Sequence, residues 1–90
     1  MEATRTLRIK NSAGLHARPC HAIVVLASRF ESQLTVSCGD TEVNGKSILE
    51  LMTLCAPCEA TLSFRAHGRD ADQLIAGLTD LVEAGFGELD

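Results

Sequence analysis

Two stretches of the chain alternate without a break. In Ala60–Ala66, ATLSFRA, the residues Ala60, Leu62, Phe64 and Ala66 are interleaved with Thr61, Ser63 and Arg65. In Gln33–Cys38, QLTVSC, the residues Leu34, Val36 and Cys38 are interleaved with Thr35 and Ser37. A strand turns successive side chains to opposite faces, so each stretch is a strand with one apolar face. Strands buried on both faces read as continuous apolar runs instead. These two therefore require an antiparallel sheet with one face covered, and helices with a single apolar stripe are what cover it.

The rest of the chain supplies such helices. Thr4–Lys10 reads as a first strand, with Leu7 and Ile9 against Arg8 and Lys10, and NSAG (Asn11–Gly14) is a loop signal. Cys20, Ile23, Val24, Ala27 and Phe30 recur at helical spacing, giving a helix from Ala17 to about Arg29. After Gln33–Cys38, Gly39–Asp40 is a turn and Thr41–Val43 a short return strand. SILELMTL (Ser47–Leu54) is a short helix, opened by a capping box of Ser47 and Glu50. After the Ala60–Ala66 strand, a second capping box, Asp70 with Gln73, opens a last helix with Leu74, Ile75, Leu78, Leu81 and Val82 on one face, to about Ala84. The order β-α-β-β-α-β-α predicts an α+β open-faced β-sandwich: a four-stranded antiparallel sheet with three helices on one face. The 90 residues form a single domain, 1–90.

Composition narrows the function. With 12 acidic and 8 basic residues, formal charge −4, no Trp, no Tyr and three Phe, the chain has neither the basic stripe nor the stacking platform of a nucleic-acid binder. MEATRTLRIK lacks the apolar core of a signal peptide, and the longest aliphatic run, Ala22–Ala27, is too short to insert in a membrane, so a cytoplasmic protein is expected. In that compartment Cys20, Cys38, Cys55 and Cys58 are expected as free thiols. CAPC (Cys55–Cys58) has C-x-x-C spacing, but no second C-x-x-C or H-x-x-x-H completes a zinc site. It also follows a short second helix, not the first strand of a thioredoxin-like unit. These cysteines read as small buried or loop residues, and no metal or cofactor is expected.

One stretch carries chemistry. In AGLHARPCH (Ala13–His21), a helix beginning at Ala17 makes His16 its N-cap and puts Pro19 in the first turn, where no helical N–H bond is lost. A first turn presents unpartnered amides and the positive end of the helix dipole, which suits an anion. Arg18 adds a planar fork of donors matched to phosphate oxygens. Histidine, with an ordinary pKa of ~6.5, can be neutral and nucleophilic at cytosolic pH. Phosphoryl transfer is mostly positioning and charge stabilisation, and these groups supply both.

AGLHARP closely resembles the active-site loop of HPr, the family of histidine-containing phosphocarriers of the bacterial phosphoenolpyruvate-dependent sugar phosphotransferase system. VNGKSILELMTL (Val43–Leu54) resembles the same family's regulatory serine segment. The likeness spans essentially the whole chain. It implies a phosphoryl carrier, not an enzyme in its own right. His16 would accept the phosphoryl group on Nδ1 from phosphorylated enzyme I and pass it to EIIA components for sugar uptake. Arg18 and the backbone amide of Ala17, with that of Arg18, would stabilise it. Ser47 would be the regulatory site of an HPr kinase/phosphorylase, and Ile48, Leu49 and Met52 the exposed docking patch, with Leu51 and Leu54 in the core. A monomer is expected.

The chain also departs from the family. Where relatives often carry lysines, it has Val25, Ser28, Arg29 and Glu50, and Cys20, Cys55 and Cys58 are unusual. His21 reads as a surface residue one helical turn beyond His16. Two alternatives stay open: a regulatory or nitrogen-branch HPr paralogue with the same chemistry, and an acylphosphatase-like hydrolase of related element order. Against the second, the loop has only Gly14 and that chemistry needs no nucleophilic histidine.

Overall fold

The computed structural model describes residues 1–88. The elements are β1 (Glu2–Arg8), α1 (Ala17–Ala27), β2 (Gln33–Cys38), β3 (Thr41–Asn44), α2 (Ile48–Met52), β4 (Thr61–His67) and α3 (Ala71–Glu83), followed by a 3-10 turn at Gly85–Gly87. The four strands form one antiparallel sheet in the order β1-β4-β2-β3. Pairs such as Leu7↔Leu62 and Val36↔Phe64 set the register, so the apolar residues of neighbouring strands fall on one face. The other face carries Thr4, Thr6, Thr35, Ser37, Ser63 and Arg65, with no layer over it among the described residues. The expected open-faced sandwich is what forms.

The covered face packs Leu7, Leu34, Val36, Leu62, Phe64 and Ala66 against Ile23 and Ala27 of α1, Leu51 of α2, and Leu74, Leu78 and Val82 of α3. Phe64 is wholly buried at the centre. Truncating such a residue to Ala costs about 3–5 kcal/mol, so this layer fixes the register of the sheet.

Several boundaries differ from the sequence reading. β1 begins at Glu2, because its ladder with β4 runs out to Glu2↔His67. It ends at Arg8, yet Ile9 stays in the core: its N–H donates to Ala60 O (2.9 Å) and its carbonyl accepts from Glu59 N (2.9 Å). α1 stops at Ala27, not Arg29, because Arg29 N and Phe30 N turn to carbonyls only three residues back. The Lys46 ammonium then takes up Phe30 O at 2.8 Å.

Neither capping box closes as expected. Ser47 Oγ accepts from Glu50 N at 3.2 Å, but the Glu50 carboxylate accepts from Asn44 N (2.9 Å), since Ser47 N already donates to Asn44 O. Asp70 stands at the N-cap of α3 without capping it. Its carboxylate instead accepts from the amides of Glu31 and Ser32 (both 2.9 Å) and from the Ser32 hydroxyl. The residue tethers the α1–β2 loop to the start of α3.

Candidate functional site

The loop before α1 is built for a close approach. Gly14 has φ +73°, a conformation glycine adopts freely. A Cβ there would stand 2.6 Å from Ala56 O and 2.9 Å from Pro57 Cα. The next residue, Leu15, is buried and donates its N–H to the same Ala56 carbonyl at 2.8 Å. The segment between α2 and β4 is therefore the seat of the loop that delivers His16.

His16 is the N-cap of α1, with φ −111° and ψ −166°, and its side chain makes no cap bond. Its carbonyl accepts from Cys20 N at 3.0 Å. Pro19 has no N–H and is buried. That leaves the amides of Ala17 and Arg18 at the open end of the helix, where neither donates to a protein group among the described residues. Arg18 is exposed and forms no ion pair among them, so its guanidinium is free for an anion.

The ring of His16 is held by a residue the sequence did not single out. Nε2 lies 2.9 Å from Glu88 Oε2 and 3.1 Å from Oε1. The side chain of Glu88 is 15% exposed and that of His16 42% exposed. Asn11, itself buried, donates from Nδ2 to Glu88 Oε1 and to Gly14 O, both at 2.8 Å. Its Oδ1 has no partner among the described residues. A carboxylate can only accept, so the proton of a neutral ring belongs on Nε2 and the lone pair on Nδ1. The site is thus a histidine whose Nε2 faces a carboxylate, an Nδ1 with no partner among the described residues, two open amides and an exposed guanidinium. That set can accept a phosphoryl group.

Glu88 reaches His16 through a reversal at the end of α3. Gly85, Phe86 and Gly87 all have positive φ (64°, 59° and 81°), and the Phe86 side chain is buried. Gly-Phe-Gly ahead of a carboxylate, in AGFGE, is the signal that could have found it.

The other expected residues fall as follows. Ser47 caps α2. Leu49 is 80% exposed and Met52 41% exposed, whereas Ile48 is half-buried against the core and so adds little to an exposed patch. Leu51 is fully buried, and Leu54 packs partly against the core. His21 lies outside the Asn11–His16–Glu88 cluster, in a groove between α1 and α3 with Val25, Leu26 and Leu81. Burial pushes the Cys20 thiol up to about 11, so it stays protonated and inert. All four cysteines are free, and no cluster of metal-ligating side chains occurs among the described residues.

Residues 3–84 match the family model described as "PTS HPr component phosphorylation site". The chain belongs to the HPr family of phosphocarriers. The Phosphocarrier protein HPr of Neisseria meningitidis serogroup A is 38% identical over 84 residues, covering 93% of this chain and 94% of that one. The Multiphosphoryl transfer protein of Vibrio cholerae serotype O1 is 42% identical over 88 residues, covering 94% of this chain but only 22% of that longer one. A crystal structure of HPr from Thermoanaerobacter tengcongensis superposes with a TM-score of 0.93 at 40% identity, covering 98% of this chain and 99% of that one. This HPr-family chain is accordingly a phosphocarrier of the phosphotransferase system, a carrier and not a catalyst. No helix among the described residues is long and apolar enough to cross a membrane.

Proposed function

We propose that His16 is the phosphoryl acceptor, taking the group on Nδ1 from phosphorylated enzyme I and handing it to EIIA components of sugar permeases in the cytoplasm. The observation that carries this is the pair of contacts from Glu88 to Nε2, which leaves Nδ1 as the free nucleophile. As Nδ1 attacks phosphorus, its lone pair forms the new N–P bond and the bond to the donor breaks. Positive charge develops on the ring, and the Glu88 carboxylate stabilises it through the Nε2–H. An aspartate behind a catalytic histidine works in the same way. Glu88 is a positioning residue, held in turn by Asn11. The phosphoryl oxygens face the amides of Ala17 and Arg18 and the Arg18 guanidinium, donors already in place before the charge arrives.

Leu49 and Met52 form the apolar docking patch for both partners, with Ile48 supporting them from the core side. Ser47 is the regulatory site for an HPr kinase/phosphorylase. A phosphate there would place about −1.5 to −2 charges beside that patch. The test is a relay in vitro. Phosphoenolpyruvate, enzyme I, the chain and an EIIA component are combined, and phosphate on EIIA is followed. The relay should run with the chain and stop without it. In a second arm, prior treatment with ATP and HPr kinase should slow it. A relay that ignores the chain would contradict the reading.

A further inference from the structure

The Cys55–Cys58 pair, two accessible thiols three residues apart, lies in the segment that seats the loop of His16. Cys55 is exposed and Cys58 partly so. Their sulfurs are turned to different carbonyls: Cys55 Sγ to Met52 O at 3.6 Å, Cys58 Sγ to Lys10 O at 4.0 Å. Between them stand Ala56, whose carbonyl holds Leu15 N–H at 2.8 Å, and Pro57. The segment is pinned on both sides, by Cys55 N to Met52 O (3.3 Å) and by Glu59 N to Ile9 O (2.9 Å).

We infer that Cys55 and Cys58 form a reversible disulfide with low-molecular-weight disulfides as oxidant, and that this bond weakens the seat of the His16 loop. A disulfide brings its sulfurs to about 2.05 Å and requires a specific dihedral, so both thiols must leave their present carbonyls. The peptide between them has to follow. Proline locks φ at residue 57, so the adjustment concentrates at Cys55 and Ala56. Cys55 already sits at φ +49°, a conformation that side chains seldom adopt. Ala56 O is the atom that moves, and Leu15 and Gly14 rest on it with no slack.

The chemistry balances. One cysteine thiolate attacks a sulfur of the small disulfide, giving a mixed disulfide and one released thiolate. The second cysteine thiolate attacks the protein-bound sulfur and expels the other. Two electrons pass to the oxidant, and the two protons lost by the cysteines end on the two released thiols. In a reducing compartment such bonds are transient and serve sensing or catalysis. Cys20 is buried, so it does not compete for the oxidant.

The test uses the full chain and oxidised glutathione as probe. The treated protein is freed of glutathione and checked by mass and peptide mapping. A Cys55–Cys58 disulfide, seen as the loss of two hydrogens, is expected. Two readings follow: hydrogen exchange at the Leu15 amide, and the rate of phosphoryl gain from phosphoenolpyruvate and enzyme I. Exchange should speed up and the rate should fall about fivefold, the low end of ordinary coupling between sites, with recovery in dithiothreitol. The Cys55→Ser/Cys58→Ser double variant should keep the rate of the untreated parent with or without treatment. No disulfide, a disulfide that leaves both readings unchanged, or a double variant that responds like the parent would each overturn the inference. The inference rests on the carrier reading only for its second readout. A reduced chain that took no phosphoryl group would sink that reading, while Leu15 exchange would still decide the coupling.

Discussion

Both carboxylate oxygens of Glu88 lie against Nε2 of His16, at 3.1 Å and 2.9 Å, across 72 residues of chain. On the proposed function, the carboxylate sets the tautomer and supplies negative charge where the ring becomes positive. Replacing Glu88 by Gln keeps an acceptor and removes the charge. Charge-assisted hydrogen bonds contribute about 1 kcal/mol more than neutral ones, so phosphoryl acceptance by Glu88→Gln should fall about fivefold. Nitrogen NMR of the ring checks the cause. The neutral parent should carry its proton on Nε2, and the variant should show a mixture. An unchanged rate with an unchanged tautomer would remove Glu88 from the site.

Gly14→Ala combines a positive φ with a Cβ only 2.6 Å from Ala56 O. The clash is with backbone, which cannot swing aside. We expect a loss of about 2–3 kcal/mol in denaturant unfolding. Phosphoryl acceptance should be slower even where the variant is fully folded, because the loop that delivers His16 must lift from its seat.

Asp70 makes the fold sensitive to acid. The Ser32 hydroxyl, together with the amides of Glu31 and Ser32, holds its carboxyl below the ordinary range. A folded-state pKa below the unfolded value, ~3.9, gives stability that is present above that value and is lost as pH falls through the folded one. Asp70→Ala should therefore be less stable than the parent at neutral pH. The two should converge at acid pH, with the variant's acid limb shallower below about pH 4. Thermal unfolding across pH 2–7 measures this, and parallel curves would contradict it.

If the proposed docking patch holds, Leu49 and Leu51 separate docking from packing within one short helix. Leu49 is 80% exposed and Leu51 wholly buried. Leu49→Glu should leave Tm almost unchanged while weakening transfer from enzyme I, read as a higher KM for the chain. Leu51→Ala should cost about 2–5 kcal/mol of stability, with less effect on transfer at temperatures where it stays folded. Equal transfer kinetics for Leu49→Glu and the parent would move the docking surface elsewhere.

Much of this architecture can be read in the chain order. The alternation of Leu62, Phe64 and Ala66 states which face is covered, and the place of Pro19 states where α1 begins. Those signals are local, and local periodicity survives into the fold. What escaped depends on partners that local periodicity does not indicate. The Asp70 carboxylate is captured by Glu31 and Ser32, across 38 or 39 residues, so its capping signature misleads. The Glu50 carboxylate is taken by Asn44 because the amide it would have met is already used. Ile48 belongs to an apolar run that the sequence cannot divide between core and surface; only the seating of α2 does that. Glu88 meets His16 because three successive positive-φ residues reverse the chain after α3, and no periodicity announces such a turn.

The central claim is that His16 carries the phosphoryl group. The most direct measurement is the intact mass of the chain after incubation with phosphoenolpyruvate and enzyme I, for the parent and for His16→Ala. The parent should gain a single phosphate that is lost on brief acid treatment, as a phosphohistidine is, and His16→Ala should gain none. An acid-labile phosphate on His16→Ala, or an acid-stable one on the parent, would contradict the account.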